Sequence, residues 1–244
     1  MKKIRELNPI LLVIDCQKGL LEKNYWGENR NNKNAENICG ILIKKWRELK
    51  LKIIHIRHSS LNPNSPLYKS KPGFEFNNQT IPMNNEMVIT KNVNSAFIGT
   101  NLKDILDDEQ CKTLVITGLT TDHCVSTTTR MAGNYGYNTY LISDATATFD
   151  KVGINGEKYD AEQIHQISLA SLKDEFATVL SSESKKAIYF PLAFEIAIFL
   201  AFAAPIFLSK KIVLILVSFS DKTVIFSLEL SVEKSSTIII SQLV

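Results

Sequence analysis

The sequence predicts a three-layer α/β/α fold around a mostly parallel six-stranded sheet, followed by an atypical apolar C-terminal tail. Three observations carry this expectation. Short apolar runs alternate with stretches of helical periodicity as far as Leu180. The first run, Ile10 to Asp15, is almost continuously apolar, as a strand covered on both faces must be. The composition then changes abruptly from Ala187 onward. Strand–helix alternation implies parallel strands joined by right-handed crossovers, with helices on both faces.

The elements follow in order. Ile10 to Asp15 is the first strand. Ala35 to Leu49 is a helix, because Ile38, Ile41, Leu42, Trp46 and Leu49 recur at intervals of three and four. Lys52 to Ile56 and Met87 to Thr90 are the second and third strands. Asn101 to Leu106 is a short helix, and Thr113 to Thr117 the fourth strand. Asp122 to Asn134 is a helix, Thr139 to Ser143 the fifth strand, Ala161 to Leu172 a helix, and Ala177 to Leu180 the sixth strand.

Composition narrows the function. The 244 residues allow one large α/β domain, or a domain plus an extension. With 22% charged residues and a net charge of +3, no basic run marks a nucleic-acid surface, so no nucleic-acid partner is expected. Cys16, Cys39, Cys111 and Cys124 are widely spaced without a CxxC pair, which fits a reducing compartment. The charged start from Met1 to Asn8 lacks the apolar core of a secretory signal. A cytoplasmic location is therefore expected. No G-x-G-x-x-G follows the first strand, so a dinucleotide-binding domain is excluded. Gln17 stands where a phosphatase of this architecture would need a second Asp.

In parallel sheets of this kind the ligand site lies beyond the carboxyl ends of the strands. Asp15 ends the first strand, Lys91 ends the third, and Cys124 follows the fourth at a helix start. Cysteine is nucleophilic as thiolate, and a helix N-terminus and a neighbouring cation both favour that form. Asp15 can take the thiol proton and return it to a leaving amine. The backbone amides of Thr120 and Cys124 are candidates for an oxyanion hole.

Several segments together resemble one family. Ile10-Leu11-Leu12-Val13-Ile14-Asp15-Cys16-Gln17 is similar to the opening strand and D-x-Q of isochorismatase-like hydrolases. Thr90-Lys91, Ser95-Ala96-Phe97 and Gly99-Thr100-x-Leu102 resemble their lysine segment, and Gly118-Leu119-Thr120-Thr121-Asp122-His123-Cys124-Val125 their nucleophile turn. Gly136-Tyr137, Ser143-Asp144-Ala145-Thr146, His165 and Ser168 to Leu172 extend the likeness, which runs from about Pro9 to Ser182. The resemblance implies a Rossmann-like topology and a catalytic triad of Asp15, Lys91 and Cys124. It also implies a cis peptide before Thr120, with the amides of Thr120 and Cys124 as oxyanion hole. It implies amide hydrolysis of a small molecule through a thioester, no cofactor, and a homo-oligomer. Gln17, Trp26, Phe97 and Thr121 are the expected substrate-binding residues, with Phe74 and Phe76 as further aromatic candidates for the pocket wall. Two alternatives stay open: a vinyl-ether hydrolase of the isochorismatase type, and a catalytically silent binding homologue.

Nicotinamidases of this superfamily place metal ligands after the second strand. Here the segment reads His55-Ile56-Arg57-His58-Ser59-Ser60, without their Asp-x-His. Residues three apart on a strand point to opposite faces, so no metal site is expected.

The tail reads differently from residues 1–184, the expected hydrolase domain. From Ala187 onward there is no Gly, Asn, Arg, His or Cys. Ala187 to Leu208 is almost wholly apolar, interrupted by Pro191, Glu195 and Pro205, and is long enough to cross a membrane. Residues 185–244 are thus open to three readings: a membrane segment, a non-native tail, or an extra packed element. Under the first, the protein contacts a membrane through this tail.

Overall fold

The computed structural model describes residues 7–22, 25–182 and three later strand segments, 212–218, 222–228 and 240–243. The chain divides into two compact units, Met1–Leu200 and Ala201–Val244. In the first, six strands form one sheet: β1 (Ile10–Ile14), β2 (Ile53–His58), β3 (Met87–Lys91), β4 (Thr113–Leu119), β5 (Asn138–Ala147) and, after a two-stranded hairpin, β8 (Thr178–Leu180). Their order is β3-β2-β1-β4-β5-β8, and every pairing is parallel. The sheet is therefore wholly parallel. The hairpin is β6 (Lys151–Val152) with β7 (Lys158–Tyr159).

The pleat of β1 explains its run of apolar residues. Ile10, Leu12 and Ile14 face one apolar cluster, and Leu11 and Val13 the other, with all five buried. Helix α1 (Ala35–Leu49) covers the second face with Cys39, Leu42, Ile43, Trp46 and Leu49. The Trp46 indole also donates to Pro9 O at 3.0 Å. Helices α2 (Leu102–Asp108), α3 (Ser126–Asn134) and α4 (Ala161–Leu172) contribute Leu102, Leu106, Ala132, Leu169 and Leu172 to the first face. Each fully buried Leu or Ile stabilises the fold by roughly 1.5–3 kcal/mol, and such residues anchor helices to both faces of the sheet.

From β1 the chain builds outward through β2 and β3, then returns to the other side of β1 with β4. The crevice between β1 and β4 is thus the topological switch point, where open α/β sheets bind ligands. Gly118 lets the two strand ends close up there. It pairs with Ile14, has φ +113, and a Cβ built on it would lie 1.9 Å from Ile14 O. No side chain fits at that position.

The structure adjusts several expected boundaries, three of them around the end of β4. β5 continues to Ala147, past the expected end at Ser143. β4 reaches Leu119, with a register shift between Ile116 and Gly118. The expected helix from Asp122 begins instead as a single π turn, Thr121–Val125, that runs into α3.

The second unit contains β9 (Ile212–Ser218), β10 (Lys222–Leu228) and β11 (Ile240–Leu243), an antiparallel sheet in the order β11-β10-β9. The apolar stretch Ala187 to Leu208 lies outside the described residues. Among the described residues, no helix is long and apolar enough to cross a membrane.

Candidate active site

Asp15 is the first residue past β1. Its φ of +50 is a left-handed conformation that Asp tolerates better than most residues. The carboxylate is 1% exposed. Oδ2 accepts a hydrogen bond from Lys91 Nζ at 2.6 Å, while the buried Oδ1 has no hydrogen-bond partner. A lone buried carboxylate oxygen is costly to leave unpaired, and it is free to receive a proton.

Lys91 ends β3, two strands from β1, and its side chain reaches across the end of β2. It is 2% exposed, and its ammonium donates to three acceptors: Asp15 Oδ2 at 2.6 Å, Cys124 Sγ at 3.2 Å and His58 Nδ1 at 3.2 Å. An ammonium has three N–H donors, so all three are used. Burial pushes the Lys91 pKa down, but the Asp15 charge and the bonds to Asp15 and Cys124 outweigh it, and the net direction is upward. The ammonium is held charged.

Cys124 lies within the π turn. It is half-buried, whereas Cys16, Cys39 and Cys111 are buried. Its Sγ also lies 3.7 Å from Oδ1 of the exposed Asn94. Burial pushes the thiol pKa up, the Asp15 charge adds to this, and Lys91 opposes without cancelling it. The helix start and Lys91 were expected to favour the thiolate, but burial and the Asp15 charge outweigh them. The resting side chain is a thiol, so a base must take its proton when it reacts.

The turn before Cys124 is held on both sides. The Leu119–Thr120 peptide is cis, and Thr120 O accepts from the amides of His123 (3.2 Å) and Val125 (3.1 Å). Thr121 Oγ1 is 2.9 Å from His165 Nδ1. Asp122 bonds the Thr148 hydroxyl and pairs with Lys151 at 3.2 Å.

The other expected residues occupy various places. Gln17 is buried, with its amide committed to backbone: Nε2 donates to His58 O (3.1 Å) and Phe74 O (2.9 Å), and Oε1 accepts from His58 N (2.7 Å). Thr121 is buried against His165. Phe97 packs in the apolar core beside the rings of Tyr135 and Tyr137. Trp26 packs against a small cluster with Leu20 and Leu119, and its indole donates to Gly19 O at 2.8 Å. Phe74 and Phe76 lie against the Arg57 guanidinium. A cleft of about 410 Å³ reaches Lys91 between Ser59, Ser60, Tyr68, Lys69 and Asn92. Its walls include neither Asp15 nor Cys124.

His58 and Asn94 were not singled out by sequence as partners of the site. Asn94 directly precedes the Ser95-Ala96-Phe97 segment and His58 ends β2, yet nothing in either local pattern distinguishes it from an ordinary loop or strand-end residue. The two histidines of β2 do diverge as expected. His55 Nε2 meets Glu86 Oε2 at 2.9 Å, and His58 turns to Lys91. Single ligand atoms of Asp15, His58 and Cys124 lie within 4.8 Å of one another, a spacing suited to a metal ion. The Lys91 ammonium, however, already bonds to all three residues and stands where a cation would.

Residues 9–184 match the family model described as Isochorismatase domain. The chain belongs to the isochorismatase family. Members of this family are hydrolases, and the chain is an isochorismatase-family hydrolase. It is 51% identical over 173 residues to the uncharacterized isochorismatase family protein YrdC of Bacillus subtilis (strain 168), covering 71% of this chain and 91% of that one. A solved isochorismatase-family structure from Chromobacterium violaceum ATCC 12472 superposes with a TM-score of 0.70 at 37% identity, covering 79% of this chain and 94% of that one. More distant relatives include streptothricin hydrolase of Streptomyces noursei, 26% identical over 57% of this chain and 54% of that one. Nicotinamidase 3 of Arabidopsis thaliana is 30% identical over 39% of this chain and 43% of that one.

Proposed function

We propose that this isochorismatase-family hydrolase cleaves the C–N amide bond of a small molecule through a thioester on Cys124. The observation that carries the reading is the Lys91 ammonium, bonded at once to Asp15 Oδ2 and Cys124 Sγ. That arrangement joins a base, a cation and a nucleophile in one unit.

Asp15 takes the thiol proton as Sγ attacks the substrate carbonyl carbon, and the Lys91 charge stabilises the developing thiolate. The carbonyl oxygen becomes an oxyanion, bound by the amides of Thr120 and Cys124. Collapse breaks the C–N bond, and the departing nitrogen receives the proton from Asp15. Water then attacks the thioester with Asp15 again as base, which releases the acid and restores the thiol. The names of the nicotinamidase and streptothricin hydrolase relatives support a C–N substrate. The direct test is a screen of small amides and ureas with ammonia release as readout, run beside Cys124→Ala. Ammonia release that depends on Cys124 supports the reading. Turnover confined to vinyl ethers, or turnover undiminished in Cys124→Ala, refutes it.

A further inference from the structure

We propose that His58 is a positioning residue that holds the Lys91 ammonium against Cys124 through its Nδ1. The proposal rests on the Asp15–Lys91–Cys124 reading, and its test separates the two.

The topology creates the need for such a residue. Lys91 belongs to β3, while Asp15 and Cys124 lie at the ends of β1 and beyond β4, so the lysine side chain must cross the end of β2. His58 is the β2 residue in register with Lys91, and its imidazole meets the ammonium midway. Nδ1 lies 3.2 Å from Nζ, the same separation as Nζ to Cys124 Sγ. A Lys91 ammonium can only donate, so Nδ1 must be the acceptor and the ring proton resides on Nε2. Burial and the neighbouring Lys91 charge push the His58 pKa down, despite opposing contributions from Asp15 and the Val93 backbone. The ring is therefore uncharged at neutral pH and able to accept.

His58 is itself pinned. Its amide donates to Gln17 Oε1 at 2.7 Å, and its carbonyl accepts from Gln17 Nε2 at 3.1 Å. The same Gln17 amide donates to Phe74 O at 2.9 Å. Asp15 and Gln17 thus act on one lysine by two routes: Asp15 directly through its carboxylate, and Gln17 by fixing the backbone of the residue that holds Lys91. Without Nδ1, one ammonium donor in a nearly inaccessible site would lose its partner. A side chain reaching across a neighbouring strand would then be free to swing away from the thiol.

The test needs no substrate. In the full chain, the rate of Cys124 alkylation by iodoacetamide is measured from neutral to alkaline pH by peptide mass spectrometry. Wild type is compared with Lys91→Met, His58→Phe, His58→Leu and His58→Asn. Lys91 favours the thiolate, so Lys91→Met should move the profile to higher pH. His58→Phe keeps a ring but no acceptor, and should move it the same way, with alkylation at neutral pH about fivefold slower. His58→Leu is the substitute where the Phe variant does not fold. His58→Asn places an acceptor oxygen near the Nδ1 position and should restore the wild-type profile. A residue that merely packs would lower thermal stability in all three His58 variants and leave the profile unmoved. A shifted profile in Lys91→Met with an unshifted one in His58→Phe or His58→Leu overturns the proposal alone. An alkaline shift in a folded His58→Asn also overturns it. No shift in Lys91→Met would bring down the triad reading itself.

Discussion

Replacing Asp15 by Asn should make Cys124 more reactive toward an alkylating agent and yet stop turnover. In the native site the Asp15 carboxylate lies within 4.8 Å of the sulfur and raises the cost of ionising it. At an effective dielectric of about 20, a unit charge at that distance contributes roughly 3.5 kcal/mol, a few hundredfold in thiolate population. The neutral amide removes this charge and keeps an oxygen for Lys91. A more acidic thiol is also a weaker nucleophile, by a little less than half the change on a logarithmic scale, so the net ceiling is about 25-fold. Residual solvent at the half-buried thiol lowers this further, and a gain on the order of fivefold to tenfold is expected. Turnover moves the opposite way, because an amide can neither take the thiol proton nor return it, a loss on the order of 10²–10⁴. The assay pairs iodoacetamide labelling of the Cys124 peptide with ammonia release from an accepted amide, both at neutral pH. If Asp15→Asn slows both, the carboxylate only shapes the site. If it keeps turnover, Asp15 is not the base.

Dialysis against a chelator should leave activity intact, since the Lys91 ammonium stands where a cation would; loss on chelation with recovery by zinc would reverse this. Glu86→Gln should cost about 1–2 kcal/mol in urea melts at neutral pH, because Glu86 bonds Arg47 at 2.7 Å and His55 at 2.9 Å. Burial opposes its ionisation, yet the Arg47, Met83 and His55 bonds prevail and hold its pKa at about 2. A depressed folded pKa contributes stability above the ordinary carboxylate range, so the deficit should shrink as the pH falls from about 4.5 toward 2. An equal deficit at both ends of that window would refute the assignment. Truncation after Glu183 should leave a soluble, cooperatively folding and active protein. A truncated chain that fails to fold, beside a monodisperse full chain, would make the tail part of the domain.

Much of the frame was legible because its signals are local. Helix α1 runs from Ala35 to Leu49 as its apolar spacing requires, and β1 reads as a doubly covered strand because both of its faces are packed. β5 outran its expected end because Ser143, Asp144 and Thr146 interrupt the apolar run, while pairing with Gly118 and Leu119 continues the ladder. The β6–β7 hairpin is too short and polar to leave a pattern. The strand-end positions of Asp15, Lys91 and Cys124 were readable because a parallel sheet gathers those ends. The ionisation state of Cys124 was not, since it depends on burial and on a carboxylate 109 positions away in the chain, neither of which the nucleophile turn records. His58 looked like an ordinary strand-end histidine for the same reason: its partner is Lys91, 33 residues further on.

The central claim is that Cys124 forms the bond to the substrate. Its most direct test is the rate of ammonia release by Cys124→Ala on an amide that the wild type accepts, with folding checked by thermal melting. The account predicts a folded variant whose kcat is reduced on the order of 10³-fold or more. A folded Cys124→Ala that retains turnover within about tenfold of wild type would contradict it.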